Sequence, residues 1–132
     1  MTVDPGGRPC GCGSRGCLDR YASGTALDHR PESSQDMAEL AHWLGYGLGQ
    51  VAMLLDPELF LLGGGVSAAG TALTAPTERR LAAVLAEHGR ELTPPVRLAE
   101  LGPDAGFIGA AAYAAGHGPG LPATQVTGKS KV

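Results

Sequence analysis

Between residues 36 and 55 apolar side chains recur at helical spacing. Met37, Leu40, Ala41, Leu44, Leu48, Val51, Ala52 and Leu55 fall on one face, which predicts an amphipathic helix. Ser33, with Asp36 three residues later, supplies a capping signal at its start. Asp56-Pro57 ends it, because proline disfavours helical geometry in the residue before it. Gly45 and Gly49 are four apart and share the helix surface. Each costs ~1 kcal/mol there relative to alanine, so another element is expected to pack very closely at that point.

Leu59 to Leu62 is a short, continuous apolar run, suited to a strand buried on both faces of an α/β sheet. It leads directly into Gly63-Gly64-Gly65-Val66. A second helix is predicted over 74–89, with Thr74 as its cap and Leu81, Val84, Leu85 and His88 on one face. Pro94-Pro95 breaks the chain, Val96 to Ala99 reads as a second strand, and Gly102-Pro103-Asp104 turns into an alanine-rich helix over 105–115. Upstream, residues 1–17 are turn-rich, Leu18 to Leu27 fits a short helix, and 28–35 reads as a polar loop. Helices alternating with buried strands give an α/β layer architecture. Two strands are too few for a stable sheet, so more sheet is expected than these residues supply.

Composition narrows the function classes. The chain has 132 residues, enough for one ordinary domain, and 43% are hydrophobic. Aromatics are only 5%, so the core must be built from Leu, Val and Ala. The net charge is −3, and the only lysines are Lys129 and Lys131 in the tail, which argues against nucleic-acid binding. No apolar run approaches the ~20 residues of a membrane span, and the N-terminus lacks the pattern of a signal peptide. A cytoplasmic, reducing location is therefore expected, and there clustered cysteines read as metal ligands before disulfides.

Cys10, Cys12 and Cys17 have the spacing C-x-C-x4-C, with Gly11, Gly13 and Gly16 between them. Glycine lets the backbone fold sharply enough for three thiolates to converge on one ion. Zinc takes sulfur ligands tetrahedrally, so a fourth ligand is required. His29, His42, His88 and His117 are all distant in sequence. The fourth position is left to water, a distant histidine or a residue outside this chain. Structural zinc is favoured over a catalytic ion, since three sulfurs leave it weakly Lewis-acidic; three unliganded thiols are the remaining alternative.

The segment CGCGSRGCLDRYASGTAL resembles the signature of the ROK family (repressor, open reading frame, kinase), usually C-G-C-G-x-x-G-C-x-E and then a Y-x-S-G-like stretch. LGYGLGQVAMLLDPELFLLGGGVSAAG resembles the family's later block of helix, Pro-Glu turn, strand and triple glycine. LGPDAGFIGAAAYAA resembles its last helix. The resemblance covers most of residues 3–116. It implies the C-terminal lobe, incomplete, of an actin-like ATPase fold of the ribonuclease H type. Three segments follow: 1–27, a zinc-binding and sugar-loop segment; 28–116, the α/β lobe; and 117–132, a disordered tail.

The resemblance also implies roles. Zinc sits on Cys10, Cys12 and Cys17 and shapes the sugar-binding loop. Asp19 stands where the family's glutamate contacts sugar hydroxyls, one methylene shorter; a solvated residue at a helix start is the plainer reading. Gly63, Gly64, Gly65 and Val66 match the adenosine motif, where a backbone without side chains admits the nucleotide; otherwise they are a plain strand-to-helix turn. The spacing is neither GxGxxG nor a Walker loop. The implied partners are a hexose, ATP with magnesium, and a second copy in a homodimer. The family's histidine ligand, phosphate motifs and catalytic aspartate all lie upstream of the stretch matching Met1, and the stretch between Leu27 and Leu44 is shorter than usual. The expectation is thus a glucokinase-like half that does not phosphorylate sugar alone. A fragment of a sugar-responsive repressor and a zinc-bound interaction module are the alternatives.

Overall fold

The computed structural model describes residues 1–23 and 34–116. The predicted 28–35 loop therefore lies mostly outside the described residues, as do Ser33 and the 117–132 tail, and the predicted 18–27 helix stops at Ala22, with Ser23 extended. The elements in order are α1 (Asp19–Ala22), α2 (Ser34–Leu55), β1 (Phe60–Leu62), a 3₁₀ turn (Gly65–Ala69), α3 (Thr71–Glu87), β2 (Val96–Leu98), a second 3₁₀ turn (Gly102–Asp104) and α4 (Ala105–Gly116). β1 and β2 pair in parallel, with Phe60 opposite Val96, Leu61 opposite Arg97 and Leu62 opposite Leu98. α3 makes the crossover between them, as parallel pairing requires.

α2 packs on α3 through two of its glycines. A Cβ at Gly45 would lie 2.7 Å from the Thr77 carbonyl oxygen and 2.7 Å from Arg80 Cβ. A Cβ at Gly49 would lie 2.5 Å from Val84 Cγ1. The close approach expected from the glycine pair is therefore made by α3. One core cluster joins Leu40, Ala41 and Leu44 of α2 to Leu73 of α3. A second joins Ala52, Leu81, Leu85 and Val96. Leu48 and Leu62 pack against both clusters, so the sheet and the helix pair share one interior.

Several local expectations give way to tertiary context. α3 begins at Thr71, with Gly70 at its N-cap at φ +61°, and Thr74 lies inside the helix. Pro76 is consequently internal and leaves the carbonyl four residues back without its usual donor. His88 is exposed, its Nδ1 2.9 Å from the Val84 carbonyl oxygen. Leu61 is 63% exposed, not buried: Phe60 and Leu62 face the helices, and the described residues place no layer on the other side. Leu55, expected on the buried face, is 75% exposed in the last turn of α2. Nearby, Arg90 Nη1 donates to the Ala52 carbonyl (3.1 Å) and its Nη2 pairs with Asp56, closing the helix end. α4 carries Phe107 at 80% exposure, with Ile108 and Tyr113 also exposed. No described helix is long and apolar enough to cross a membrane.

The close contact fixes the sign of a substitution. Elsewhere in a helix Gly→Ala gains ~1 kcal/mol. At Gly49 the new methyl would strike Val84, and overpacking of that kind costs about 1–3 kcal/mol. Gly49→Ala should lower the urea midpoint, whereas Gly106→Ala in α4, whose Cβ would meet nothing within 4 Å, should raise it.

Candidate functional site

The first 18 residues fold into a small knot of crossing backbone segments. Thr2 bridges Cys17 and Pro9 bridges Arg15, both antiparallel. The Val3 N–H donates to the Gly16 carbonyl (2.8 Å), Gly16 N–H to Arg8 (2.8 Å), Leu18 N–H to Met1 (3.0 Å) and Cys10 N–H to Ser14 (2.9 Å). Gly16 sits at φ +73°, and a Cβ there would fall 1.6 Å from the Asp4 carbonyl oxygen. Only glycine permits this crossing. Gly13, at φ +88°, closes the turn between the second and third cysteines.

This backbone brings the three predicted ligands together. The sulfurs of Cys10, Cys12 and Cys17 all lie within 4.8 Å of one another. Cys12 and Cys17 are 3.6 Å apart. Sulfurs around a tetrahedral zinc with Zn–S near 2.3 Å lie about 3.8 Å apart, so the donor set fits the ion with small adjustments. Hydrogen bonding from the Ser14 side chain and backbone, then from Cys10 and Cys17, pulls the Cys12 thiol down to about 6. For Cys10 the Cys12 backbone acts to lower the value, but the Cys12 and Cys17 thiols and burial together push it up. One thiolate at neutral pH beside a protonated neighbour is a site ready to give up further protons to a metal.

A polar network ties the knot to α2. The Tyr21 hydroxyl donates to Asp4 Oδ2 (2.6 Å) and accepts from the Arg8 N–H (2.8 Å). The hydrogen bond to Asp4 raises the Tyr21 pKa, partly offset by Arg8. The Arg8 guanidinium stacks over the Tyr21 ring at 4.6 Å, and its Nη2 donates to both oxygens of Glu39, at 2.8 and 3.0 Å. Tyr21 also packs on Trp43, with centroids 4.7 Å apart, and Gly47 leaves room for Leu18. Sequence reasoning missed Asp4, Arg8, Glu39 and Trp43. Tyr21 was visible only as part of a signature, and a separation of 31 residues between Arg8 and Glu39 leaves no local pattern.

Asp19 is exposed at the first position of α1, two residues after Cys17. The triple glycine lies at the end of β1. Gly64 takes φ +74°, its N–H donates to the Gly102 carbonyl (3.2 Å), and its carbonyl accepts from the buried Ser67 hydroxyl (2.7 Å). A Cβ at Gly63 would touch Ala105 and Ala99, while one at Gly64 or Gly65 would meet nothing within 4 Å. A side chain at Gly63 would thus make only ordinary contact, and Gly64 and Gly65 border open space. Val66 packs its side chain on the α2–α3 core.

The profile of the ROK family matches residues 1–42 and 29–117. The chain belongs to the ROK family. It is similar to the glucokinase of Streptomyces coelicolor, 30% identical across 84% of this chain and 47% of that protein. The structure of a ROK family glucokinase from Streptomyces griseus in complex with glucose and AMPPNP superposes with a TM-score of 0.72 at 31% identity, covering 86% of this chain and 49% of that one. The xylose repressor of Bacillus spizizenii is 32% identical over 47% of this chain. The chain thus spans about half the length of the glucokinases it matches, and the mixed α/β arrangement is part of a ROK glucokinase fold.

The lowered Cys12 value has a direct consequence for reduced, metal-stripped protein. Thiolates, not thiols, are alkylated. Iodoacetamide labelling of Cys12, followed by peptide mass spectrometry, should reach half its plateau rate near pH 6, well below the pH at which Cys10 reacts.

Proposed function

We propose that this chain is a sugar-kinase-type ROK segment that contributes the nucleotide-facing turn, part of the sugar pocket and a zinc-braced loop to ATP-dependent hexose phosphorylation. The observation that carries this reading is the likeness, across 86% of the chain, to a glucokinase solved with glucose and AMPPNP. The open space over Gly64 and Gly65 supports it, since an adenosine could approach that backbone without displacing protein atoms.

In this reading Cys10, Cys12 and Cys17 hold a structural zinc. The ion ties together the two sides of a loop that has few apolar contacts of its own. Asp19, two residues beyond the last ligand, accepts hydrogen bonds from sugar hydroxyls. ATP, with magnesium, supplies the phosphoryl group. Phosphoryl transfer depends on positioning several groups about the phosphates and on a base at the attacking hydroxyl. The chain covers 47% of its glucokinase relative, and the full reaction is assigned to a chain of that greater length. The kinase reading is favoured over the repressor because the glucokinase likeness extends over 84% of the chain, against 47%.

Gly65 offers the cleanest test. Its Cβ would meet no protein atom, so Gly65→Leu should leave thermal stability within about 0.5 kcal/mol, the range of a surface change. Calorimetry with AMPPNP should show binding by the parent chain and at least tenfold weaker binding by the variant. A parent chain that takes up no nucleotide would overturn the assignment of the turn. Elemental analysis should find one zinc per folded chain, and a coupled assay with glucose and ATP should stay at baseline for the chain by itself.

A further inference from the structure

We infer that the Ser14 hydroxyl positions the cysteine site, holding Cys12 and Cys17 at the separation a metal needs. This rests on the zinc reading above and deepens it. Ser14 lies in the turn between the second and third cysteines, and its carbonyl accepts the Cys10 N–H at 2.9 Å. The residue is thereby fixed at the neck of the loop. Its Oγ is 3.1 Å from Cys12 Sγ and 3.0 Å from Cys17 Sγ, while the two sulfurs are 3.6 Å apart. The hydroxyl therefore bridges one edge of the thiol triangle.

Ligation to a metal would deprotonate both sulfurs, and two thiolates at that separation repel each other. A hydroxyl has one proton, so it donates to one sulfur at a time while lying against the other. The neighbouring cations are engaged elsewhere: Arg15 Nε donates to the Gly6 carbonyl (3.1 Å), and Arg8 is held by Glu39 and the Tyr21 ring. Ser14 thus supplies the hydrogen-bonding contact from within the loop. Its distances are those of a hydrogen bond to sulfur. An oxygen completing a tetrahedral zinc site would stand about 3.5 Å from each sulfur, given Zn–S near 2.3 Å and Zn–O near 2.0–2.2 Å. Ser14 accordingly acts on the ligands, not on the ion. Outer contacts of this kind fix ligand orientation and moderate the charge on sulfur.

The test uses the whole chain, stripped of metal and reduced, with Ser14→Ala and Ser14→Thr beside it. Each is titrated with cobalt(II), reading the thiolate charge-transfer and tetrahedral d–d bands, and then with zinc in competition with a chromogenic chelator. Far-UV circular dichroism reports the fold. Ser14→Ala should bind zinc roughly ten- to a hundredfold more weakly, the usual effect of removing an outer-shell partner. Ser14→Thr, which keeps the hydroxyl, should stay within about threefold of the parent. Equal affinity in the parent and Ser14→Ala would overturn the role of Ser14 and leave the zinc site standing. A threonine variant as weak as the alanine variant would also overturn it. A parent chain that takes up neither cobalt nor zinc would overturn the zinc reading itself.

Discussion

Contact between α2 and α3 at Gly45 and Gly49 fixes the position of nearly everything else. With a Cβ at either site the helices would have to shift apart, because the Thr77 carbonyl oxygen, the Arg80 Cβ and the Val84 Cβ and Cγ1 stand 2.5–2.9 Å from where it would be. At the distance glycine permits, Leu44, Leu73, Leu81 and Leu85 close over the interior, and Leu62 of β1 reaches both core clusters. The core is short of aromatics, so tight backbone approach takes the place of large side chains. Dispersion and area burial then come from many small contacts, each sensitive to tenths of an ångström.

The same helix organises the cysteine loop from its other side. Gly47 accommodates Leu18, Trp43 meets Tyr21, and Glu39 receives Arg8. The Arg8–Glu39 pair is about half exposed and by itself adds little stability. Its value lies in direction: the guanidinium is held between Glu39 and the Tyr21 ring, and Tyr21 is locked by Asp4 and the Arg8 N–H. Position is thus passed from the α2–α3 core, through a stack of rings and hydrogen bonds, to a loop with little core of its own. Metal ligation would complete a geometry that the hydrogen bonds of Gly16 and Ser14 have already drawn.

The glycine turn, by contrast, is set by the sheet. Gly63 lies beside Ala99 and Ala105, and the Gly64 N–H donates to the Gly102 carbonyl, so both strand ends finish side by side. Beyond them the surface changes character. Leu61 on the outer sheet face and Phe107 of α4 are exposed although both are large and apolar. Exposed apolar surface of this kind accords with a chain spanning about half of each glucokinase it matches.

Much of this was legible along the chain. Helical periodicity located α2 to within two residues of its start and fixed its end, and the glycine pair announced a close neighbour without saying which. The C-x-C-x4-C spacing singled out three cysteines that the fold brings together. These features are local, and periodicity or turn chemistry records them directly. What only the tertiary structure decided involves residues far apart in sequence. The α3 start moved to Thr71 because Gly70, not Thr74, turns the chain. Leu61 became a surface residue because an apolar run does not say how many faces will be covered. Arg8, Tyr21 and Glu39 met across as many as 31 residues, and Ser14 came between two sulfurs because Gly13 and Gly16 bent the backbone around it. Spacing can nominate side chains for a site; the packing that surrounds them selects their partners.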